Sequence, residues 1–195
     1  MYPSRVDITE VGTRDGLQAE QQFVPTERKI ELIAGFAAAG LRRIEATSFV
    51  SPRAVPQLAD AAQVVAAART LGPTIAALVP NAEGATRAVE ADVDEMVVFI
   101  SASESHSATN LNMSIDQAIA AVEPVAAIAR DSGKVLRAAI AVAFGCPFEG
   151  DVPAATVSGI AGRLNSLGIG SLTLGDTAMS RQSAESCSRI TRRCG

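Results

Sequence analysis

The chain has 195 residues, 48% of them hydrophobic, and its 17 Lys and Arg against 21 Asp and Glu leave a formal net charge of −4. That length supports one substantial hydrophobic core, while the mildly acidic balance, 4% aromatic content and absence of Trp exclude both the basic surface and the stacking platforms of a nucleic-acid binder. No run approaches the ~20 apolar residues that cross a bilayer, MYPSRVDITEV lacks signal or transit character, and Cys146, Cys187 and Cys194 follow no framework spacing, so the expectation is a cytoplasmic protein without membrane or nucleic-acid partners.

Short β-branched runs alternate with helical patterns. RVDITEV reads as a strand. PTERKIELIAGFAAAG follows as a helix, with Thr26 as its cap, Ile30, Ile33 and Ala37 on one face, and Gly40 as its stop. LRRIEATSF is the second strand. VPQLADAAQVVAAARTLG is the next helix, with Leu58, Ala61, Ala62, Val65 and Ala68 as its apolar stripe. TIAALVP, VDEMVVFIS, VLRAAIAVAFG and SLTLGD are the later strands. Between them fall the helical patterns NAEGATRAVEA, SIDQAIAAVEPVAAIARDSG and PAATVSGIAGRLNSLG. Ser114 and Gln117 form a capping box in the second of these, and Pro124 is expected to kink it. Most repeats have the ~30 residues of a βα unit, which predicts an α/β fold with a parallel sheet. An open doubly wound sheet and a (β/α)8 barrel both satisfy this pattern, but no G-x-G-x-x-G follows the first strand.

Polar residues collect where the strands end, the face that carries active sites in either architecture. They are Arg14 and Asp15 after the first strand, Glu45 and Ser48 on the second, and Asn81 after the third. Ser103, Glu104, His106, Asn110 and Asn112 follow the fourth, Cys146 and Glu149 the fifth, and Asp176 and Thr177 the sixth. Each has a plainer reading. Arg14-Asp15 is also what a turn with a local ion pair looks like. Glu45 and Asp176 suit helix caps, Asn110 and Asn112 suit turns, and Cys146 suits a packed small residue. His106, the only histidine, reads as a solvated loop residue.

Taken in order, EVGTRDGLQAE, IEATSFVSPRAVPQLAD, LVPN, SASESHSATNLNMSIDQA, FGCPFEG and LTLGDT resemble 3-hydroxy-3-methylglutaryl-CoA lyases from about Val6 to Thr177. The resemblance implies a (β/α)8 TIM-type barrel, here incomplete with about six βα units, over residues 1–177, and an atypical tail over 178–195. It also implies divalent-metal-dependent cleavage of the acyl-CoA to acetyl-CoA and acetoacetate. Arg14, Glu45 and Asp176 would be catalytic; Arg14, Gln18, Ser48 and Asn110 would contact substrate; and Asp15 would be a hard oxygen ligand for Mg²⁺ or Mn²⁺. His106 stands where the family commonly has an aromatic residue, and receives no catalytic role.

The family's H-x-H metal ligands and glycine-rich Cys loop have no counterpart in this sequence, and AMSRQSAESCSRITRRCG does not resemble a barrel segment. The expectation is therefore an impaired or inactive fragment whose open strand edges pair with another chain or form a homo-oligomer. Two other readings stand beside it: a Claisen-type synthase related to isopropylmalate and homocitrate synthases, which shares the barrel and the Arg-Asp pair, and a non-catalytic acyl-CoA-binding remnant, which the absent histidine pair supports.

Overall fold

The structure is a computed structural model and describes residues 4–177. The expected 178–195 tail lies outside the described residues. The chain divides into two compact units, one running to Val97 and including Ile128–Val135, the other holding Val98–Ala127 and the chain from Leu136.

In the first unit β1 (Thr9–Glu10), β2 (Arg43–Ser48), β3 (Thr74–Leu78) and the start of β4 (Glu95–Ser101) are parallel and lie in chain order. The register pairs Thr9 with Arg43, Arg43 with Thr74, and Ala76 with Glu95. Helices α1 (Thr26–Ala38), α2 (Ala61–Ala68) and α3 (Ala82–Glu90) connect them. Ile44, Ala46, Ile75, Ala76, Ala77 and Met96 are all buried. Consecutive burial, rather than alternation, is what a parallel sheet covered on both faces produces.

The second unit holds the end of β4, α4 (Glu104–Leu111), most of α5 (Ile115–Ser132), β5 (Val135–Ala141), α6 (Ala154–Ser166) and β6 (Ser171–Leu174). β5 and β6 run parallel, Arg137 opposite Ser171 and Ile140 opposite Leu174. Val157, Ile160, Ala161 and Leu164 form the buried stripe of α6. Neither unit contains the reversal of strand order at which an open doubly wound sheet splits. The fold is α/β of the (β/α)8 type, incomplete, with six strands among the described residues.

Several local expectations change. β1 is two residues long because its partner β2 begins at Arg43, opposite Thr9, so Val6 and Ile8 pair with nothing in β2 and are exposed. Thr26 does not cap α1; Pro25 takes that position, and the Thr26 hydroxyl donates to Asp60 Oδ2 at 2.7 Å. The second helical pattern splits into a 3₁₀ turn (Pro56–Leu58) and α2, whose buried stripe takes Val64 in place of Ala62. Helix α4 stands where a polar loop was expected. Ser103 Oγ caps it by accepting from His106 N at 3.2 Å, and Asn112, at φ 53°, ends it. The Ser114–Gln117 capping box forms with both reciprocal bonds, at 2.9 and 3.1 Å. Helix α5 runs on through Pro124, which lies on an exposed face with Ala120, so water can reach the carbonyl that the proline leaves without a donor.

Candidate active site

The first unit builds a charged cluster on the turn that follows β1. Gly12–Gly16 is a π-helical turn, a geometry that is rare and concentrates at functional positions. Its backbone is fastened by Asp15 N and Arg14 N, which donate to Val11 O at 2.7 and 3.0 Å. Gly12 N donates to Glu10 Oε1 at 2.6 Å. A side chain at Gly12 would place its Cβ 2.8 Å from that same oxygen, so the Glu10 carboxylate would have to move aside and give up its bond to Gly12 N.

This wide turn sets Arg14 between two carboxylates. Its Nη1 donates to Asp15 Oδ1, and its Nε stands 2.8 Å from Glu45 Oε1, a charge contact rather than a linear hydrogen bond. Glu45 comes from the middle of β2 and its side chain is 7% exposed, whereas that of Asp15 is 66% exposed. The β2–β3 register slips between Glu45 and Thr47, the kind of bulge that re-aims a strand side chain beside a site. Glu45 is therefore a buried strand carboxylate facing a guanidinium and not a cap on the next helix. The local Arg14–Asp15 ion pair and the wider charge cluster are both present.

A second set of contacts holds the chain just beyond this turn. Gln57 Nε2 donates to Glu20 O at 2.7 Å, and the buried ammonium of Lys29 donates to Gln57 O at 2.5 Å and to Asp60 Oδ1 at 2.7 Å. The same ammonium lies 4.3 Å from the centre of the Phe23 ring. Of the other first-unit residues, Ser48 is buried and its Oγ accepts from Val50 N at 3.2 Å, and Gln18 is exposed.

In the second unit Asp176 is half-buried just past β6. Its neighbours are stitched to the end of β5. Gly175 N donates to Ile140 O at 2.8 Å, Ala143 N to Gly175 O at 3.0 Å, and Val142 N to Thr177 Oγ1 at 3.1 Å. Val142 holds φ at 49°, a conformation that costs a β-branched residue about 1–3 kcal/mol and that the surrounding bonds impose. Asn110 lies on α4, its Nδ2 2.7 Å from His106 Nε2. His106 is buried, and burial holds its imidazole below the usual histidine value. In the GCPFEG segment Cys146 and Gly150 exchange backbone bonds of 2.7 and 2.9 Å, and Glu149 Oε1 accepts from Ser105 N at 2.6 Å. That backbone bond is the main reason the Glu149 carboxyl sits below its usual range.

Arg14, Asp15 and Glu45 are thus brought together as the sequence pattern suggests. His106 is buried and not the solvated loop residue expected, and the Lys29–Asp60 pair was not singled out from sequence. For a divalent metal the donor set is thin. Asp15 is a hard carboxylate, yet it already serves Arg14, and among the described residues no group of three or more His, Cys, Asp or Glu stands close enough to hold an ion. These residues do not by themselves complete a metal centre.

A parallel βα fold with an arginine clamped by carboxylates after its first strand defines a barrel-type enzyme scaffold. Solved structures share that scaffold: a hydroxymethylglutaryl-CoA lyase from Pseudomonas aeruginosa superposes with a TM-score of 0.92 at 40% identity, over 98% of this chain and 64% of that one. An HMG-CoA lyase from Acinetobacter baumannii, solved with coenzyme A and 3-methylmalate, gives 0.88 at 36% identity, over 95% and 62%. The hydroxymethylglutaryl-CoA lyase YngG of Bacillus subtilis is 43% identical over 177 residues, 90% of this chain and 59% of that protein. The HMGL-like family model matches residues 5–193, and the chain belongs to that family. It spans between 38% and 59% of the length of the curated relatives it matches. Among the described residues no helix is long and apolar enough to cross a membrane.

Proposed function

We propose that this chain carries part of the machinery of a divalent-metal-dependent carbon–carbon lyase that cleaves 3-hydroxy-3-methylglutaryl-CoA to acetyl-CoA and acetoacetate. The observation that supports it is the Arg14 guanidinium, clamped between Asp15 and Glu45 in a chain whose relatives bear lyase names. In a retro-Claisen cleavage a base takes the proton of the tertiary hydroxyl. The carbon–carbon bond breaks as the ketone forms, and the electron pair moves into the thioester as an enolate, which is then protonated. Arg14, always cationic and held by two carboxylates, stabilises the enolate oxygen. Glu45 and Asp176 are the proposed proton carriers, and Gln18, Ser48 and Asn110 the proposed substrate contacts.

A bound Mg²⁺ or Mn²⁺ would supply Lewis acidity at the substrate oxygens, with Asp15 as one ligand. Because the described residues do not complete that centre, the 195-residue stretch alone is expected to turn over slowly while still binding acyl-CoA. Association of two copies beside β1, where Val6 and Ile8 are exposed, accompanies this reading; sedimentation at two concentrations checks it.

Acetoacetate release from 3-hydroxy-3-methylglutaryl-CoA with Mg²⁺ is the direct test. Arg14→Lys should lower the rate by roughly 10²–10³-fold, the usual loss when an oxyanion-stabilising donor is removed. Consumption of acetyl-CoA with a 2-oxo acid instead would replace this reading with a Claisen-type synthase. Tight CoA binding without cleavage, with or without Mg²⁺, would favour a binding role for this stretch.

A further inference from the structure

Between the charged turn and α1 the chain crosses residues 18–24, and little of its own backbone holds it there. Ala19 N donates to Gly16 O at 3.4 Å and Glu20 N to Leu17 O at 3.2 Å, both long. Among the described residues, one hydrogen bond reaches this stretch from another element: Gln57 Nε2 donates to Glu20 O at 2.7 Å, across 37 positions of sequence. A backbone oxygen only accepts, so this partner fixes which end of the Gln57 amide is nitrogen. Gln57 lies in the 3₁₀ turn after β2, and that turn has a rigid base. Its own backbone oxygen accepts from Lys29 Nζ at 2.5 Å, and Lys29, 1% exposed, is paired with Asp60 at 2.7 Å. The same ammonium lies 4.3 Å from the centre of the Phe23 ring, near the far end of the stretch. The Arg14 turn is fastened differently, by Arg14 N and Asp15 N to Val11 O, and those bonds do not pass through Gln57.

We infer that Gln57 is a positioning residue for Gln18: by tying Glu20 O to the Lys29-anchored turn, its side chain holds the segment that presents Gln18 to an acyl-CoA. The functional half rests on the substrate contact proposed above for Gln18. Gln18 is exposed and stands two residues before the tied carbonyl. A glutamine on a loose segment gives up backbone and side-chain freedom when a ligand closes on it. Fixing the backbone at Glu20 takes part of that loss at folding, so less remains to oppose binding. The effect therefore falls on affinity. Arg14 keeps its own fastening, so the chemical step of bound substrate is unchanged, and KM rises while kcat stays.

Two measurements on the intact chain test this. Gln57→Met removes the donor but keeps the side-chain length and the backbone oxygen that Lys29 holds, so the base of the turn is left in place. Gln57→Lys supplies a donor able to reach Glu20 O again. Amide hydrogen exchange of the 18–24 peptide should quicken about fivefold in Gln57→Met, the worth of one hydrogen bond, and recover in Gln57→Lys; exchange unchanged in Gln57→Met would overturn the tie. The dissociation constant of 3-hydroxy-3-methylglutaryl-CoA, with Mg²⁺ present, is then measured for wild type, Gln57→Met, Gln18→Ala and the double variant. Gln57→Met should weaken binding about fivefold, and should weaken it no further once Gln18 is alanine. A merely structural role lowers stability and leaves the two losses additive, and additive losses overturn the inference. So does a loss in Gln18→Ala with none in Gln57→Met. If instead Gln18→Ala binds as tightly as wild type, or the chain binds no acyl-CoA, the substrate contact proposed for Gln18 fails and takes the functional half with it, while the exchange result still decides whether Gln57 holds the segment.

Discussion

Replacing Lys29 probes how the charged turn is anchored. The Lys29 side chain is 1% exposed and that of Asp60 is 7% exposed. Lys29→Ala removes the ammonium from Asp60 Oδ1, from Gln57 O and from the face of Phe23. Thr26 still donates to Asp60 Oδ2, but the other carboxylate oxygen is left buried without its counter-charge. Orphaning a buried ion in this way costs about 3–5 kcal/mol, a large part of the ~5–15 kcal/mol that stabilises a typical domain. Lys29→Met keeps the aliphatic stem and isolates the charge effect, so it should cost a similar amount. Adding Asp60→Asn to Lys29→Met removes the orphaned charge and should recover most of the loss. Urea unfolding followed by circular dichroism reads all three variants. Because Lys29 also fixes Gln57, which holds Glu20, cleavage by a protease within 17–25 should accelerate in both single variants. A loss below about 1 kcal/mol for Lys29→Met would refute the reasoning, since solvent would then be screening a pair that appears dry.

Other substitutions have defined outcomes. At Gly84, a Cβ would stand 2.7 Å from Pro80 Cδ and 2.9 Å from the backbone oxygen of Phe49, so Gly84→Ala should destabilise by about 1–3 kcal/mol on thermal unfolding. Ser103→Ala removes the cap of α4 and should cost about 1 kcal/mol, with faster amide exchange at His106 N. Glu149 has a folded-state pKa below its usual value, so its bond to Ser105 N adds stability above the ordinary glutamate range and loses it as pH falls through the depressed value. Glu149→Gln should flatten the stability-versus-pH curve below about pH 4.5 and leave its shape near neutrality unchanged.

Much of the fold was legible because its signals are local. The β-branched runs, the glycine stop at Gly40, now seen at positive φ, and the Ser114–Gln117 box depend on neighbours within a few residues. Helix α4 was missed because SESHSATN has no apolar stripe to announce it; Ser103 caps it and Asn112 ends it, and the polar face of His106 is satisfied by Ser101 rather than by water. In α2 Ala62 and Val64 flank the shared stripe of Ala61, Val65 and Ala68 on opposite sides, and burial took the side with the larger side chain.

The site divides in the same way. By itself the sequence determined the alternation of strands and helices and that charge gathers after β1, because those follow from periodicity and turn chemistry along the chain. Only the tertiary structure decided that Glu45 faces Arg14, that Lys29 is buried against Asp60, and that His106 is buried beside Ser101. Glu45 and Arg14, like Lys29 and Asp60, stand about thirty residues apart along the chain. Such pairings are set by strand register and by which groups are dried on packing, and nothing local in the chain encodes either.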